Sequence, residues 1–151
     1  MKTMAGNGKL IALASQVLDV EAAAIQAARG KLGSAFLAAT QLMLSRSGGG
    51  RVVVMGMGKS GHIGRKIAAT LASTGTPALF VHPAEAGHGD LGMVTPHDVA
   101  LAISQSGKSD ELLRVLPYMK RNRIPLVAMT AKADSVLAQH ADVVIDTSVD
   151  R

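Results

Sequence analysis

The chain reads as an α/β domain: a five-stranded parallel sheet with helices on both faces. Three observations predict this. Five short runs, 52–55, 78–81, 99–103, 125–129 and 143–145, are continuously apolar, as strands covered on both faces must be. The segments between them carry helix-period apolar stripes or turn residues. Strand and helix signals alternate along the chain, which calls for parallel pairing through right-handed crossovers.

Each element has its own signal. Residues 1–8 are polar and are expected to form a flexible tail, leaving 9–151 as one domain, long enough for a core of its own. From 9 to 31, Leu10, Leu13, Val17, Val20, Ala24 and Ala27 recur every three or four positions, a helix that Gly30 and Gly33 end. A second helix is expected over 34–45, with Phe36, Leu37, Leu42 and Leu44. These two alanine-rich helices suit core cover or a subunit contact. Ser47-Gly48-Gly49-Gly50 reads as a loop. Val52-Val53-Val54-Met55 is the first strand, and Ile63, Ile67 and Leu71 stripe the helix after it. Residues 73–77 turn the chain into strand two. Residues 82–96 read as a solvated loop carrying Glu85, His88 and Asp90. Strand three ends in Ser104-Gln105-Ser106-Gly107-Lys108-Ser109, and a helix follows through Leu112, Leu113, Val115, Leu116 and Met119, where Pro117 should introduce a kink. Strand four, a short helix over 133–140 and strand five complete the chain. The expected strand order is flavodoxin-like, 2-1-3-4-5, with the chain reversing between strands one and three.

Composition removes several function classes. A hydrophobic content of 48% and a mean hydropathy of +0.26 mark a globular chain. The absence of cysteine excludes disulfides, thiol nucleophiles and zinc–thiolate sites. The net charge is +5, but the basic residues are scattered and only two Phe and one Tyr are available to stack on bases. Nucleic acid is therefore not expected as a partner, and an anionic metabolite suits the charge. No apolar run approaches a membrane span, and Leu10-Ile11-Ala12-Leu13-Ala14 is too short for a signal-peptide core. A cytoplasmic location without a membrane partner is expected. The five histidines lack ligand spacing, so neither a metal nor a cofactor is expected.

The stretch that carries chemistry is Gly56-Met57-Gly58-Lys59-Ser60-Gly61, a glycine turn between strand one and its helix. Glycines allow close backbone approach, and a helix N-terminus supplies unpaired donors and partial positive charge. The result is an anion site, most simply for phosphate. A P-loop would need glycine at Val53 and is rejected. A dinucleotide fingerprint fits Gly56, Gly58 and Gly61, but strand two ends at Val81-His82-Pro83 without the acidic residue for a ribose. A monophosphate cradle with Lys59 as counter-charge and a plain tight turn remain. The switch point between strands one and three decides where ligand should sit. It places Gly58, Lys59 and Ser60 opposite Ser104, Gln105 and Ser106, two loops able to grip a phosphate from both sides.

These residues resemble the sugar isomerase (SIS) domain family. Ser104-Gln105-Ser106-Gly107 resembles the phosphate loop in the isomerase half of glucosamine-6-phosphate synthase. Gly56-Met57-Gly58-Lys59-Ser60-Gly61-His62-Ile63-Gly64, Ser73-Thr74-Gly75-Thr76-Pro77 and His88-Gly89-Asp90-Leu91-Gly92-Met93 are similar to the arabinose-5-phosphate isomerase branch of that family. The resemblance covers about 10–146. It implies interconversion of D-ribulose 5-phosphate and D-arabinose 5-phosphate through an enediol, a step toward the Kdo sugar of lipopolysaccharide. It implies a homotetramer and, in many members, a following pair of CBS domains absent here. It maps Lys59, Glu111 and His88 onto the active site: Lys59 steadying the phosphate or the enediolate oxygen, Glu111 as acid/base group, His88 assisting ring opening. Gly58, Ser60, Glu85, Ser104, Gln105, Ser106 and Ser109 are the candidate substrate-binding residues. The plainer alternatives are that Glu111 only favours its helix N-terminus and that His88 only fixes its loop. Lys108 departs from the family, where an acidic residue is common. The family also continues past this point with another glutamate, a long helix and a histidine-bearing loop, so an apolar patch is expected where that helix would lie. The other readings are a non-catalytic sugar-phosphate-sensing SIS domain and a nucleotide-dependent enzyme.

Overall fold

The computed structural model describes residues 4–46 and 48–149. The chain divides into two units, one formed around its first helix and the other comprising Gly33–Ser148.

The first unit is α1, Met4–Arg29. It takes in residues 4–8 of the expected tail, because Met4 and Ala5 are strong helix formers and an established helix extends cheaply; residues 1–3 lie outside the described residues. Turns at Gly30 N–H to Ala27 O and Lys31 N–H to Ala28 O end it. Leu10, Ile11, Leu13, Val17, Leu18, Val20 and Ile25 are all exposed along it. By length and composition Asn7–Arg29 is apolar enough to cross a membrane, with a mean hydropathy of 1.4. A search for unbroken apolar runs passes over it because Asp19 and Glu21 interrupt the sequence.

The second unit holds α2 (Ser34–Arg46), β1 (Val52–Gly56), α3 (Gly58–Ser73), β2 (Ala78–Phe80), α4 (Pro83–Ala86), a single 3-10 turn (Asp90–Met93), β3 (Val99–Ile103), α5 (Asp110–Arg121), β4 (Leu126–Thr130), α6 (Val136–His140) and β5 (Val143–Asp146). The strands pair in parallel in the order β2-β1-β3-β4-β5, the order that the sequence predicts. Strand alternation divides the apolar residues between two faces. Val52, Val54, Val99, Leu101 and Val127 pack with Ala39 of α2 and Ala68 of α3. Val53, Met55, Ala100, Ala102 and Ala128 pack with Leu112, Val115 and Met119 of α5 and Leu137 of α6. Burying each of these valines contributes about 1.5–2 kcal/mol, so the central strands carry much of the stability.

Two local departures have physical causes. The segment 82–96 is not a plain solvated loop. Pro83, Ala86 and Val94 are buried in it, because its apolar residues reach the α5 side of the sheet. The helix expected from 133 starts at Val136, where the Ser135 hydroxyl accepts from the Ala138 N–H at 3.3 Å and caps it. α5 extends from Asp110 through Pro117 to Arg121.

Glycine packing fixes how α3 leaves the sheet. A Cβ on Gly61 would lie 2.8 Å from the Gly56 carbonyl oxygen, and one on Gly64 would lie 3.0 Å from the Phe80 ring. Only bare backbone lets the helix start this close to β1 and β2. Gly61→Ala is expected to destabilise the domain by about 2 kcal/mol through backbone displacement, measured as a lower urea midpoint with an unchanged slope.

A buried ion pair closes the opposite end of the sheet. Asp98, 1% exposed, precedes β3. Its carboxylate accepts from the Arg51 N–H at 2.8 Å, from Arg51 Nε at 3.2 Å and Nη2 at 3.0 Å, and from the Thr95 N–H at 2.8 Å and hydroxyl at 3.1 Å. Arg51 Nη2 also donates to the Met93 carbonyl, tying the 3-10 turn to β1. Burial alone would raise the Asp98 pKa, but the hydrogen bonds from Arg51 and Thr95 and the Arg51 charge outweigh it and hold it below the ordinary 3.8.

Candidate functional site

The site begins at two strand tips. β1 and β3 are neighbours, and their last residues, Gly56 and Ile103, are register partners. The segments leaving them therefore emerge side by side at the carboxyl edge of the sheet, where ligands bind in open α/β folds.

On the β1 side the turn is shorter than the sequence suggests. α3 begins at Gly58, so Lys59 and Ser60 lie in its first helical turn and not in a loop. Gly56 and Gly61 allow this by meeting backbone to backbone. Met57 is the N-cap and offers no side-chain hydrogen bond, and the Gly61 N–H is bonded to Met57 O. The preceding first-turn amides are the unpaired donors of a helix start. Gly58 has φ +52 with open space around it, so glycine alone suits that position without strain. No acidic residue falls in this first turn, so the helix dipole there is unopposed and favours an anion. Lys59 is exposed and Ser60 half-buried at the same edge.

On the β3 side, 104–109 is a rigid loop. Ser104 is 3% exposed, and its hydroxyl accepts from the Gly107 N–H at 3.1 Å and pairs with the Ser109 hydroxyl at 3.1 Å. Ser104 thus builds the loop, whereas Gln105 and Ser106 are exposed along it. The Ser106 hydroxyl accepts from the Lys108 N–H at 3.3 Å. Ser109 is the N-cap of α5 in extended backbone and makes no side-chain cap bond to the helix. Glu111 follows as the second residue of α5, half-buried, with Asp110 beside it in the first turn.

The loop is held from behind by residues that the sequence reading missed. The Gln105 carbonyl accepts from the Ala131 N–H at 3.2 Å and the Thr130 hydroxyl at 3.4 Å, and the Gly107 carbonyl accepts from the Leu137 N–H at 3.2 Å. The only sequence signal was a lone threonine ending an otherwise apolar strand run.

The third wall is the segment after β2. Glu85 lies in α4 and His88 follows it, its N–H donating to the Glu85 carbonyl at 2.8 Å; both side chains are exposed. α4 packs against α5, the helix that carries Glu111. The Tyr118 hydroxyl of α5 donates to the Val94 carbonyl at 3.0 Å and fixes the far end of this segment. The structure thus brings Gly58, Lys59, Ser60, Gln105, Ser106, Ser109 and Glu111 to one edge, with Glu85 and His88 on the segment leaving the neighbouring strand. Chemically the edge offers unpaired first-turn amides, a lysine, hydroxyls and a carboxylate. Among the described residues no three His, Cys, Asp or Glu side chains gather as a metal set.

Comparison with known proteins places the chain in a family. The SIS domain model matches residues 43–151. The chain is 51% identical over 146 residues to arabinose 5-phosphate isomerase KdsD of Pseudomonas aeruginosa, covering 97% of this chain and 44% of that protein. It is 65% identical over 94 residues to KdsD of Escherichia coli O157:H7, covering 62% of this chain and 29% of that protein. The chain thus spans less than half the length of the curated relatives it matches. Among solved structures, an E. coli CFT073 protein in complex with A5P superposes with a TM-score of 0.84 at 40% identity, covering 95% of this chain and 76% of that one. The sugar isomerase domain of an RpiR transcription factor from Sphaerobacter thermophilus shares the fold at 22% identity and a TM-score of 0.71, covering 85% and 73% of the two chains. A family model matched along most of the sequence, on a five-stranded parallel sheet of the expected order, places this chain in the SIS domain family.

Proposed function

We propose that this domain binds a pentose 5-phosphate and supports interconversion of D-ribulose 5-phosphate and D-arabinose 5-phosphate, the supply of a precursor for Kdo and lipopolysaccharide. The observation that carries the reading is that the start of α3 at Gly58 and the 104–109 loop follow register-matched ends of β1 and β3. A phosphoryl group between them meets unpaired amides from α3 and the Gln105–Ser106 edge of the loop, with Lys59 as counter-charge. That grip holds an open-chain sugar for chemistry at its other end. The reaction moves one proton between C1 and C2 and one between their oxygens through an enediol, and consumes no cofactor. Glu111 takes and returns that proton, Lys59 steadies the phosphate or the enediolate oxygen, and His88 assists ring opening. Similarity to the arabinose 5-phosphate isomerases supports the choice of sugar.

The assembly is a homo-oligomer, a tetramer by family resemblance, in the cytoplasm. The row of exposed apolar side chains on α1 supports a protein contact there, since such a surface calls for cover. Calorimetry with arabinose 5-phosphate, ribulose 5-phosphate and NAD, beside a coupled isomerisation assay, tests the function. Saturable binding of both sugars with turnover is expected. Binding without turnover would assign the sensing role, and binding of NAD alone would overturn the reading.

A further inference from the structure

A second anion-favouring cavity lies behind the 104–109 loop, at the carboxyl ends of β3 and β4. It has a volume of about 360 Å³ and is lined by Ser106, Lys108, Lys132, Asp134, Ser135 and Val136. Its walls are fixed. Gly107 has φ +62, and a Cβ there would lie 2.1 Å from the Ser135 hydroxyl, so the loop and the start of α6 are wedged together. The Ala131 N–H to Gln105 O and Leu137 N–H to Gly107 O bonds, both 3.2 Å, hold the same junction. Among the described residues neither lysine makes an ion pair with Asp134 or any other carboxylate. Two lysines against one aspartate leave one net positive charge facing a preformed hollow with a hydroxyl on its rim.

A larger hollow of about 430 Å³ at the opposite end of the sheet holds Lys120, Arg123 and His140. Lys120 sits in the last turn of α5, where a cation answers the helix dipole and needs no ligand, and Arg123 follows that helix end. No such account covers Lys108 and Lys132, which lie outside any helix.

We infer that the cavity between the 104–109 loop and the start of α6 binds a small phosphoryl anion, separate from the sugar phosphate held between α3 and α5. Lys108 and Lys132 supply the charge. Calling it a separate site rests on the reading of the α3/α5 crevice given above.

Amide NMR spectra of the 151-residue chain test this, with titration by inorganic phosphate, by arabinose 5-phosphate and by chloride at matched ionic strength. The amides of Lys132, Ala133 and Val136 should move saturably with inorganic phosphate and not with chloride. The Lys108→Ala/Lys132→Ala double variant should weaken that response at least tenfold. Amides that stay still, that move equally with chloride, or that respond unchanged in the double variant would overturn the proposal. The α3/α5 crevice is read separately from the amides of Gly58, Lys59 and Ser60 under arabinose 5-phosphate. Silence there counts against the pentose-phosphate reading and not against this one.

Discussion

If the domain is the isomerase proposed above, Lys59→Ala is expected to remove turnover and to weaken pentose-phosphate binding about tenfold to a hundredfold, the worth of a charge-assisted hydrogen bond. Loss of one electrostatic stabiliser of developing negative charge lowers kcat by about 10²–10³-fold. The fold should be untouched, because the side chain is exposed in the first turn of α3 and packs in neither apolar cluster. An unchanged melting temperature beside lost turnover in the coupled assay is the expected pair of results. Full activity in the variant would remove Lys59 from the mechanism. Glu111→Gln separates the roles: it should depress kcat while leaving calorimetric affinity within about threefold, since a proton-transfer group works mainly in the transition state. An affinity loss as large as that of Lys59→Ala would instead make Glu111 a binding residue.

Asp98→Ala destabilises the domain by about 3 kcal/mol, the low end for breaking a buried ion pair, because Arg51 keeps 38% exposure. Two backbone amides, at Arg51 and Thr95, lose their acceptor together with the guanidinium. The pH dependence follows from the depressed carboxyl pKa. A carboxylate held below its unfolded value contributes stability that is complete above the unfolded pKa of about 4 and is lost as pH falls through the folded value. Urea midpoints of the natural chain should therefore drop on acidification below about pH 4 more steeply than those of Asp98→Asn. Parallel acid limbs in the two proteins would show that the pair contributes nothing to stability.

What was legible in the sequence was whatever burial writes into it. Val52-Val53-Val54-Met55 and Val99-Ala100-Leu101-Ala102-Ile103 are apolar at every position because both faces of β1 and β3 are covered, and those strands stand where the runs place them. Parallel pairing followed from alternation and handedness, and the flavodoxin-like order expected for such a sheet is the one found. Less legible was anything set by close approach of backbone. Gly56-Met57-Gly58-Lys59-Ser60-Gly61 reads as a loop, yet the bare Cα atoms of Gly56 and Gly61 let α3 start at once. Ser104 reads as a free hydroxyl, but its loop folds over it, a closure that needs Gly107 at positive φ. Thr130, Leu137, Arg51 and Asp98 act through contacts far apart in the chain, and apart from the lone threonine ending strand four, single-residue chemistry gave no sign of them.

The most direct measurement is a crystal structure of this chain grown with D-arabinose 5-phosphate. The account predicts the phosphoryl group between the first turn of α3 and the 104–109 loop, within hydrogen-bond distance of amides from both, with the sugar carbons toward Glu111. A phosphate bound by one of the two alone, or a sugar seated away from the carboxyl ends of β1 and β3, would contradict it.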